Sequence, residues 1–254
     1  YKKLSKKGMF IANWKMNGSE SMLTGWLEGV DKTLDKNTQS ECILCPPACF
    51  LFQASKIIKK QELGIALGAQ DIDPKTDSSL TGGIGGSMLK ELGCEYVIIG
   101  HSERRELFKE DDSLLLEKLK SAFFANLKVI FCVGESFEEK EKGRTLNVLK
   151  KQLEIIYQVP LNNLMIAYEP VWAIGSGETA EVKYIKEVHN KIIEEIKSHE
   201  KGNFLGVVYG GSINSSSSKE ILSLQEVDGL LIGGSSLEHK EFSNIAMSIN
   251  EKKG

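Results

Sequence analysis

Three side chains in this sequence, Lys15, His101 and Glu169, have the types and positions that proton chemistry requires. Each closely follows a short apolar run of the kind that forms a buried parallel strand. A carboxylate can act as a general base, an imidazole as an acid or electrophile, and an ammonium as a fixed positive charge. Taken singly, each residue is more often a solvated or structural group. The hypothesis of an active site therefore depends on all three meeting at one place.

Glycine turns form a second group of candidates. Gly210 to Ser212 follow one apolar run, Gly233 and Gly234 follow the next, and Gly175 to Gly177 follow the run that ends at Glu169. A Gly-Gly pair alone is usually a tight turn. Three glycine turns beyond strand ends instead favour an anion site in which backbone N–H groups approach a phosphate.

The elements that must position these residues alternate along the whole chain. Apolar strand-like runs are separated by segments with helical spacing, and the strand-like runs are 9–12, 41–45, 65–69, 96–100, 128–132, 165–169, 205–209 and 229–232. Eight strand–helix units without a linker predict an α/β fold, a single closed (β/α)₈ barrel. An open doubly wound sheet is the alternative that composition alone does not exclude. In a barrel, active groups lie at the C-terminal ends of the strands.

The segment 164–177 is the most informative stretch. Its apolar first half predicts a strand that delivers Glu169 at its C-terminal end, and Pro170 stops the strand because proline lacks an N–H. An apolar loop with Trp172 follows, and then the glycines. This order of residues predicts a general base that lies beneath a loop able to cover it.

Composition narrows the class of protein. The chain has 254 residues, 41% hydrophobic and 26% charged, with a net charge of −3, which gives no indication of nucleic-acid binding. No apolar run approaches the roughly 20 residues that span a bilayer, and 9–12 is too short for a signal peptide. We therefore expect a cytoplasmic protein, with residues 1–8 as a disordered extension or tag and residues 9–254 as one catalytic barrel.

The five cysteines raise the question of a metal site, because Cys42, Cys45 and Cys49 lie close together. An odd number argues against a disulfide framework. Cys42 and Cys45 should face opposite sides of one strand, and no fourth soft ligand is near. We predict no metal, and buried thiols instead.

Longer motifs resemble a known family. Residues 13–17 (NWKMN), 100–105 (GHSERR), 167–175 (AYEPVWAIG) and 209–212 (YGGS) are together similar to the triosephosphate isomerases, and the resemblance runs from about Met9 to Ile249. It implies a homodimeric TIM barrel without a cofactor. The implied reaction interconverts dihydroxyacetone phosphate and D-glyceraldehyde 3-phosphate through an enediolate, in glycolysis and gluconeogenesis.

The resemblance also implies roles for individual residues. Glu169 would move the proton between C1 and C2, and His101 would polarise the substrate oxygens as a neutral imidazole, a behaviour for which this family is itself the standard example. Lys15 would stabilise the enediolate and phosphate charges, with Asn13 donating a hydrogen bond nearby and Glu103 orienting Lys15. The phosphate would be held by backbone N–H groups of the remaining residues, which are Gly175, Ser212, Gly233 and Gly234.

The chain departs from the family pattern at two places. Gly83 stands where relatives usually have a glutamate that pairs with the first arginine of the histidine motif, here Arg104, across the dimer. Arg104 must therefore lack that partner or use another acid. Ser176 and Glu178 replace the commoner threonine and lysine of the covering loop, and we expect Glu178 to reduce substrate capture modestly.

Two other functions fit parts of the sequence. A Schiff-base aldolase would use Lys15 as its nucleophile, but the ion-pair partners that we expect beside Lys15 would keep it protonated. A non-catalytic barrel that only binds a phosphorylated ligand would have no reason to keep Lys15, His101 and Glu169 in register with three glycine turns.

Overall fold

A computed structural model describes residues 8–34, 40–75, 78–174, 180–199 and 204–249. Eight parallel strands pair in chain order and close on themselves, so the predicted α/β (β/α)₈ barrel is confirmed. The first and last strands complete the barrel, with Met9 opposite Gly229. The strands are β1 Gly8–Asn13, β2 Ser40–Cys45, β3 Ile65–Ala69, β4 Tyr96–Ile99, β5 Lys128–Val133, β6 Leu164–Tyr168, β7 Gly206–Tyr209 and β8 Gly229–Ile232.

Helices cover the outside of the barrel. They are α1 Glu20–Thr33, α2 Leu51–Gln61, α3 Gly86–Glu91, α4 Ser102–Leu107, α5 Asp112–Phe124, α6 Phe137–Glu141, α7 Thr145–Leu153, α8 Val182–His199, α9 Ser215–Ser223 and α10 His239–Met247. Side-chain oxygens of Ser19, Asp111 and Ser136 cap three of these helices by accepting hydrogen bonds from backbone N–H groups. In the part of the chain that the structure describes, no helix is long and apolar enough to cross a membrane.

Two elements differ from the sequence prediction. The short helix α4 was not predicted, because its charged sequence SERREL has no apolar stripe. Gly8, which we assigned to the extension, is the first residue of β1 and is paired with Ser40. Because glycine has a low strand propensity, the sequence gives no sign that the strand begins at this residue. Residues 1–7, the rest of the predicted extension, lie outside the described residues.

The inside of the barrel follows the two-residue period of a strand. Met9 and Ile11 of β1 and Met165 and Ala167 of β6 point inward, into a compact apolar cluster with side chains of the other strands. Continuing the same alternation by one step reaches Asn13 on β1 and Glu169 just beyond β6. The period that packs the core therefore also aims polar residues into the C-terminal mouth.

Four of the five cysteines are buried as predicted, whereas Cys49 is exposed. Cys42 belongs to the layer between strands and helices, whereas Cys45 lies inside the barrel, so the two face opposite sides as predicted. Burial raises the pKa of Cys42, and likewise of Cys94, to about 12, so both remain thiols at neutral pH. No cluster of potential metal ligands occurs among the described residues.

Four charged side chains form a cluster beside α4. Its two carboxylates are the acids that pair with Arg104. The Arg104 guanidinium is 2.8 Å from Asp71 and 2.7 Å from Glu110, and the Lys118 ammonium is 2.7 Å and 2.6 Å from the same two carboxylates. The Lys118 and Glu110 side chains are only 4% and 3% exposed. Burial raises the pKa of Asp71 even though both cations lower it, so burying these charges is costly.

We expect Lys118→Met to lower the free energy of unfolding by about 3 kcal/mol, because two carboxylates would then share one cation in a buried site. Lys120→Met is the matched control, since Lys120 forms an exposed pair with Glu117 on the same helix and should cost less than about 1 kcal/mol. Denaturant unfolding of both variants measures this difference. Equal losses would contradict a stabilising role for the buried cluster.

His189 is a buried histidine on the inner face of α8. Its Nδ1 is 3.2 Å from the Glu226 carbonyl oxygen, and its ring packs against Tyr168 and Tyr209. Burial lowers the pKa of His189 to about 4, with the Glu226 carbonyl and the Asp228 charge opposing the shift. The imidazole is therefore neutral in the folded protein across the range in which an unfolded chain would protonate it.

This shift predicts a loss of stability in acid. Between pH 6.5 and 4 the unfolded state binds the proton and the folded state does not, so stability decreases as pH falls through this window, by up to about 3 kcal/mol. His189→Gln should flatten the pH dependence of the free energy of unfolding there, whereas His199→Gln, at the exposed end of α8, should not. An unchanged slope in His189→Gln would refute this assignment.

Candidate active site

One cavity of about 360 Å³ opens at the C-terminal ends of the strands. Seven of the predicted site residues line it together: Asn13, Lys15, His101, Glu169, Ser212, Gly233 and Gly234. Glu103 reaches the site through its ion pair with Lys15. Gly175 and Glu178 lie outside the described residues. The strand-end residues that sequence reasoning selected are thus brought into one cleft.

Glu169 enters this cavity from β6 and is almost completely buried, with 2% exposure. Its backbone N–H donates to the Val133 carbonyl oxygen, which extends the β5–β6 pairing by one residue. Two glycines allow the close fit, since a Cβ on Gly134 would lie 1.7 Å from the Glu169 carbonyl oxygen and one on Gly210 would lie 2.9 Å from its Cγ. The carboxylate is therefore held in a space that neighbouring side chains would fill.

Three donors stabilise the buried carboxylate. Oε1 is 3.0 Å from Nε2 of His101, and Oε2 accepts a 3.4 Å hydrogen bond from the Ser102 N–H. The Cys132 thiol also donates to it. Burial alone would raise the pKa of Glu169, but the contact with His101, together with the Ser102 N–H and the Cys132 thiol, holds that pKa below its ordinary value. The side chain is an anion at neutral pH.

His101 caps the N-terminus of α4, and this determines its tautomer. Its Nδ1 accepts a 3.3 Å hydrogen bond from the Glu103 N–H, so the ring proton is on Nε2 and points to Glu169. Burial lowers the pKa of His101, but the Glu169 carboxylate outweighs burial and raises it above the usual value. A second proton on Nδ1 would oppose the N–H of Glu103, so the geometry favours the neutral donor.

Lys15 has a strained backbone, with φ of 51° in the left-handed region. Three contacts hold it there: Asn13 Oδ1 accepts from its N–H at 3.1 Å, Gln70 Nε2 donates to its carbonyl oxygen at 2.8 Å, and its ammonium contacts Glu103 at 2.6 Å. The sequence analysis did not select Gln70 as a site residue. Its role depends on a contact across 55 residues, which the sequence alone does not reveal.

The anion side of the cavity is formed by the turns after β7 and β8. Gly234 begins a 3₁₀ turn, and the first N–H groups of such a turn have no partner within the turn itself. A Cβ on Gly233 would lie 3.5 Å from Cε of Lys15, so this turn borders the ammonium group. Backbone dipoles and one positive charge therefore meet where barrels commonly bind phosphate.

Glu135 is a site-forming residue that the sequence analysis missed. This buried carboxylate accepts hydrogen bonds from Tyr168 Oη at 3.1 Å, Trp172 Nε1 at 2.9 Å and Tyr184 Oη at 2.9 Å. Burial, together with the Glu135 charge, raises the pKa of Tyr168, and burial raises that of Tyr184 to about 12, so both phenols keep the protons that they donate. Glu135 follows Gly134, the first residue after β5, and this strand-end position was the available signal.

This arrangement can abstract a proton from carbon. A buried carboxylate, a neutral N–H donor and an ammonium surround a cavity that also offers an anion site. A carboxylate can remove a proton next to a carbonyl if the developing oxyanion is stabilised by donors placed in advance. The geometry therefore fits proton transfer on a small phosphorylated carbonyl compound.

Comparisons with known proteins agree with this chemistry. A model of the triosephosphate isomerase family matches residues 8–249. The triosephosphate isomerase of Dictyoglomus thermophilum is 40% identical over 250 residues, covering 96% of this chain and 100% of that protein. That of Nitrosococcus oceani is 39% identical, covering 94% and 98% of the two chains.

A solved structure gives the same result. The crystal structure of triosephosphate isomerase from Bartonella henselae matches with a TM-score of 0.86 at 35% identity, covering 96% of this chain and 99% of that one. Family model, sequence relatives and solved structure all extend over nearly the whole barrel. The chain belongs to the triosephosphate isomerase family.

Proposed function

We propose that Glu169, His101 and Lys15 carry out the reaction of this family in this chain. The activity itself follows from the family: the chain is an aldose–ketose isomerase that interconverts dihydroxyacetone phosphate and D-glyceraldehyde 3-phosphate, a step of glycolysis. The observation that carries the residue assignment is the 3.0 Å contact of Glu169 Oε1 with His101 Nε2 inside a cavity that Lys15 also lines.

In this mechanism the Glu169 carboxylate takes a proton from C1 and returns it to C2. The Nε2–H of His101 donates to the substrate oxygens, so that negative charge accumulates next to a donor already in place. Lys15 adds a positive charge, and its pair with Glu103 and its Asn13 contact fix its direction. The low pKa of Glu169 keeps the base ionised in the free enzyme.

Phosphate binding is the second part of the proposal. Gly233 and Gly234 would bind the phosphate through backbone N–H groups, and Ser212 would do so from the turn after β7. Gly175 would complete the site from the covering segment. Excluding water from this site would protect an enediolate that otherwise expels phosphate.

The aldolase alternative is not favoured. Its nucleophile would be a neutral Lys15 amine, but Lys15 Nζ is 2.6 Å from a Glu103 carboxylate oxygen. An ion pair of this length favours a fixed-charge role. Failure of borohydride to trap a substrate adduct on Lys15 would support the isomerase role of this residue.

Glu169→Gln should lower kcat by about 10²- to 10⁴-fold, because the amide cannot accept the proton while it keeps the shape of the side chain. A coupled assay that supplies D-glyceraldehyde 3-phosphate and follows dihydroxyacetone phosphate measures the rate. Glu106→Gln, an exposed glutamate of α4, is the control and should retain the wild-type rate. Wild-type turnover by Glu169→Gln would refute the assignment of the base.

A homodimer in the cytoplasm is the third part of the proposal. Met16, next to the active-site lysine, is 96% exposed, and Leu80 after β3 is 52% exposed. Apolar side chains exposed on neighbouring loops are typical of an interface. The five cysteines are unpaired, which fits a reducing compartment.

Sedimentation velocity tests the dimer. We expect the wild-type chain to sediment as a dimer at micromolar concentration, and Met16→Glu to shift it toward monomer because a charge would be buried at the contact. Phe124→Glu, which changes a residue that is 80% exposed at the end of α5, is the control and should leave the dimer intact. A monomeric wild-type chain would contradict the proposal.

A further inference from the structure

Trp172 is held from two sides by residues of one short connection. Its indole N–H donates to Glu135 at 2.9 Å, and the Lys140 ammonium lies 3.7 Å from the ring centroid on the ring face. Glu135 and Lys140 both follow β5, five residues apart. The carboxylate thus binds the edge of the indole and the cation its face, the two positions where an aromatic ring attracts these charges.

Among the residues that the structure describes, the electrostatic partners of Lys140 are aromatic rings. Its neighbour Lys142 pairs with Glu138 along the helix, whereas Lys140 forms no ion pair with any described carboxylate and contacts rings instead. A capping box fixes the helix that carries it, since Ser136 and Glu139 exchange hydrogen bonds at its first turn. Lys140 is therefore aimed at Trp172 by local structure.

Glu135 and Lys140 have opposite charges and contact different parts of the same aromatic rings. Glu135 is completely buried, and it accepts hydrogen bonds from neutral side-chain groups of Tyr168, Trp172 and Tyr184. Lys140 lies over the ring of Trp172 and is 5.5 Å from the ring centroid of Tyr184. A cation on the ring face draws electron density from the indole N–H and the phenol O–H, which strengthens their donation to the carboxylate.

Trp172 is connected to the catalytic base by a short, constrained piece of chain. The Val171 N–H donates to the Glu135 carbonyl oxygen at 3.0 Å, and Pro170, with its fixed φ, separates Val171 from Glu169. The 3₁₀ turn Val171–Ala173 follows at once. Trp172 is the middle residue of this turn, so the contacts of its ring help to hold the turn that adjoins Glu169.

We infer that Lys140 is a positioning residue, which holds Trp172 against Glu135 and thereby fixes the turn that follows the base Glu169. It touches neither substrate nor reacting atoms. The inference rests on the proposed role of Glu169 for its effect on rate, but the contact with Trp172 has a separate readout.

Lys140→Met, which keeps the length and removes the charge, tests this. We expect kcat to fall about fivefold, the factor that corresponds to about 1 kcal/mol for a cation–π contact, with KM changed less than twofold. Lys140→Arg should retain the wild-type rate because a guanidinium also stacks on an indole. Lys142→Met, on the same helix, should have no effect.

Fluorescence separates positioning from catalysis. Trp14 and Trp26 are buried, so acrylamide quenching of the substrate-free protein, after subtraction of a Trp172→Phe background, reports on Trp172. Quenching should increase in Lys140→Met and not in Lys140→Arg or Lys142→Met. Unchanged quenching with unchanged kcat would overturn the inference, and increased quenching with normal kcat would show that the turn does not position the base.

A double-mutant cycle checks that Lys140 acts through the ring. In a Trp172→Leu background, Lys140→Met should lower kcat by less than twofold, because the contact is already gone. A fivefold loss in that background would mean that Lys140 acts elsewhere, and would overturn the inference even if the single variant behaves as expected.

Discussion

The cost of burying a carboxylate governs this structure. An ionised Glu169 without partners would be strongly destabilising, so the fold must bring donors to it before substrate arrives. His101 Nε2, the Ser102 N–H and the Cys132 thiol meet that need from β4, α4 and β5. Because the donors come from the two strand–helix units that precede β6, strands β4, β5 and β6 must pair before the base is stable.

Glu135 shows the same physical requirement a second time. It is buried and accepts hydrogen bonds from neutral donors, and the Lys140 ammonium lies on the face of the Trp172 indole that donates to it. The two buried glutamates follow the adjacent strands β5 and β6, and backbone hydrogen bonds at Val133 and Val171 join the two segments. The site is therefore a pair of connected anionic centres, one directed at the substrate and the other holding the frame of the first.

Much of the fold could be predicted from the sequence, because alternation of apolar runs is a local property. The two-residue period beginning at Met165 determines that Glu169 points inward, and the glycine turns after β7 and β8 stand out by composition. What could not be predicted depends on distant pairs. Examples are the ion pairs of Arg104, the hydrogen bond from Gln70 to Lys15 and the three hydrogen bonds donated to Glu135. These contacts join residues that are far apart in sequence or lie in charged segments such as α4.

The closing seam of the barrel has a consequence for synthesis of the chain. Met9 pairs with Gly229, and a Cβ on Gly229 would lie 1.9 Å from the Met9 carbonyl oxygen, so the seam accepts only a bare backbone. A ribosome releases the first strand long before the eighth. β1 therefore keeps one unpaired edge until nearly the whole polypeptide has emerged. Unpaired strand edges promote aggregation. The ligand pocket, bordered by β1 and β8, therefore forms only after β8 has emerged.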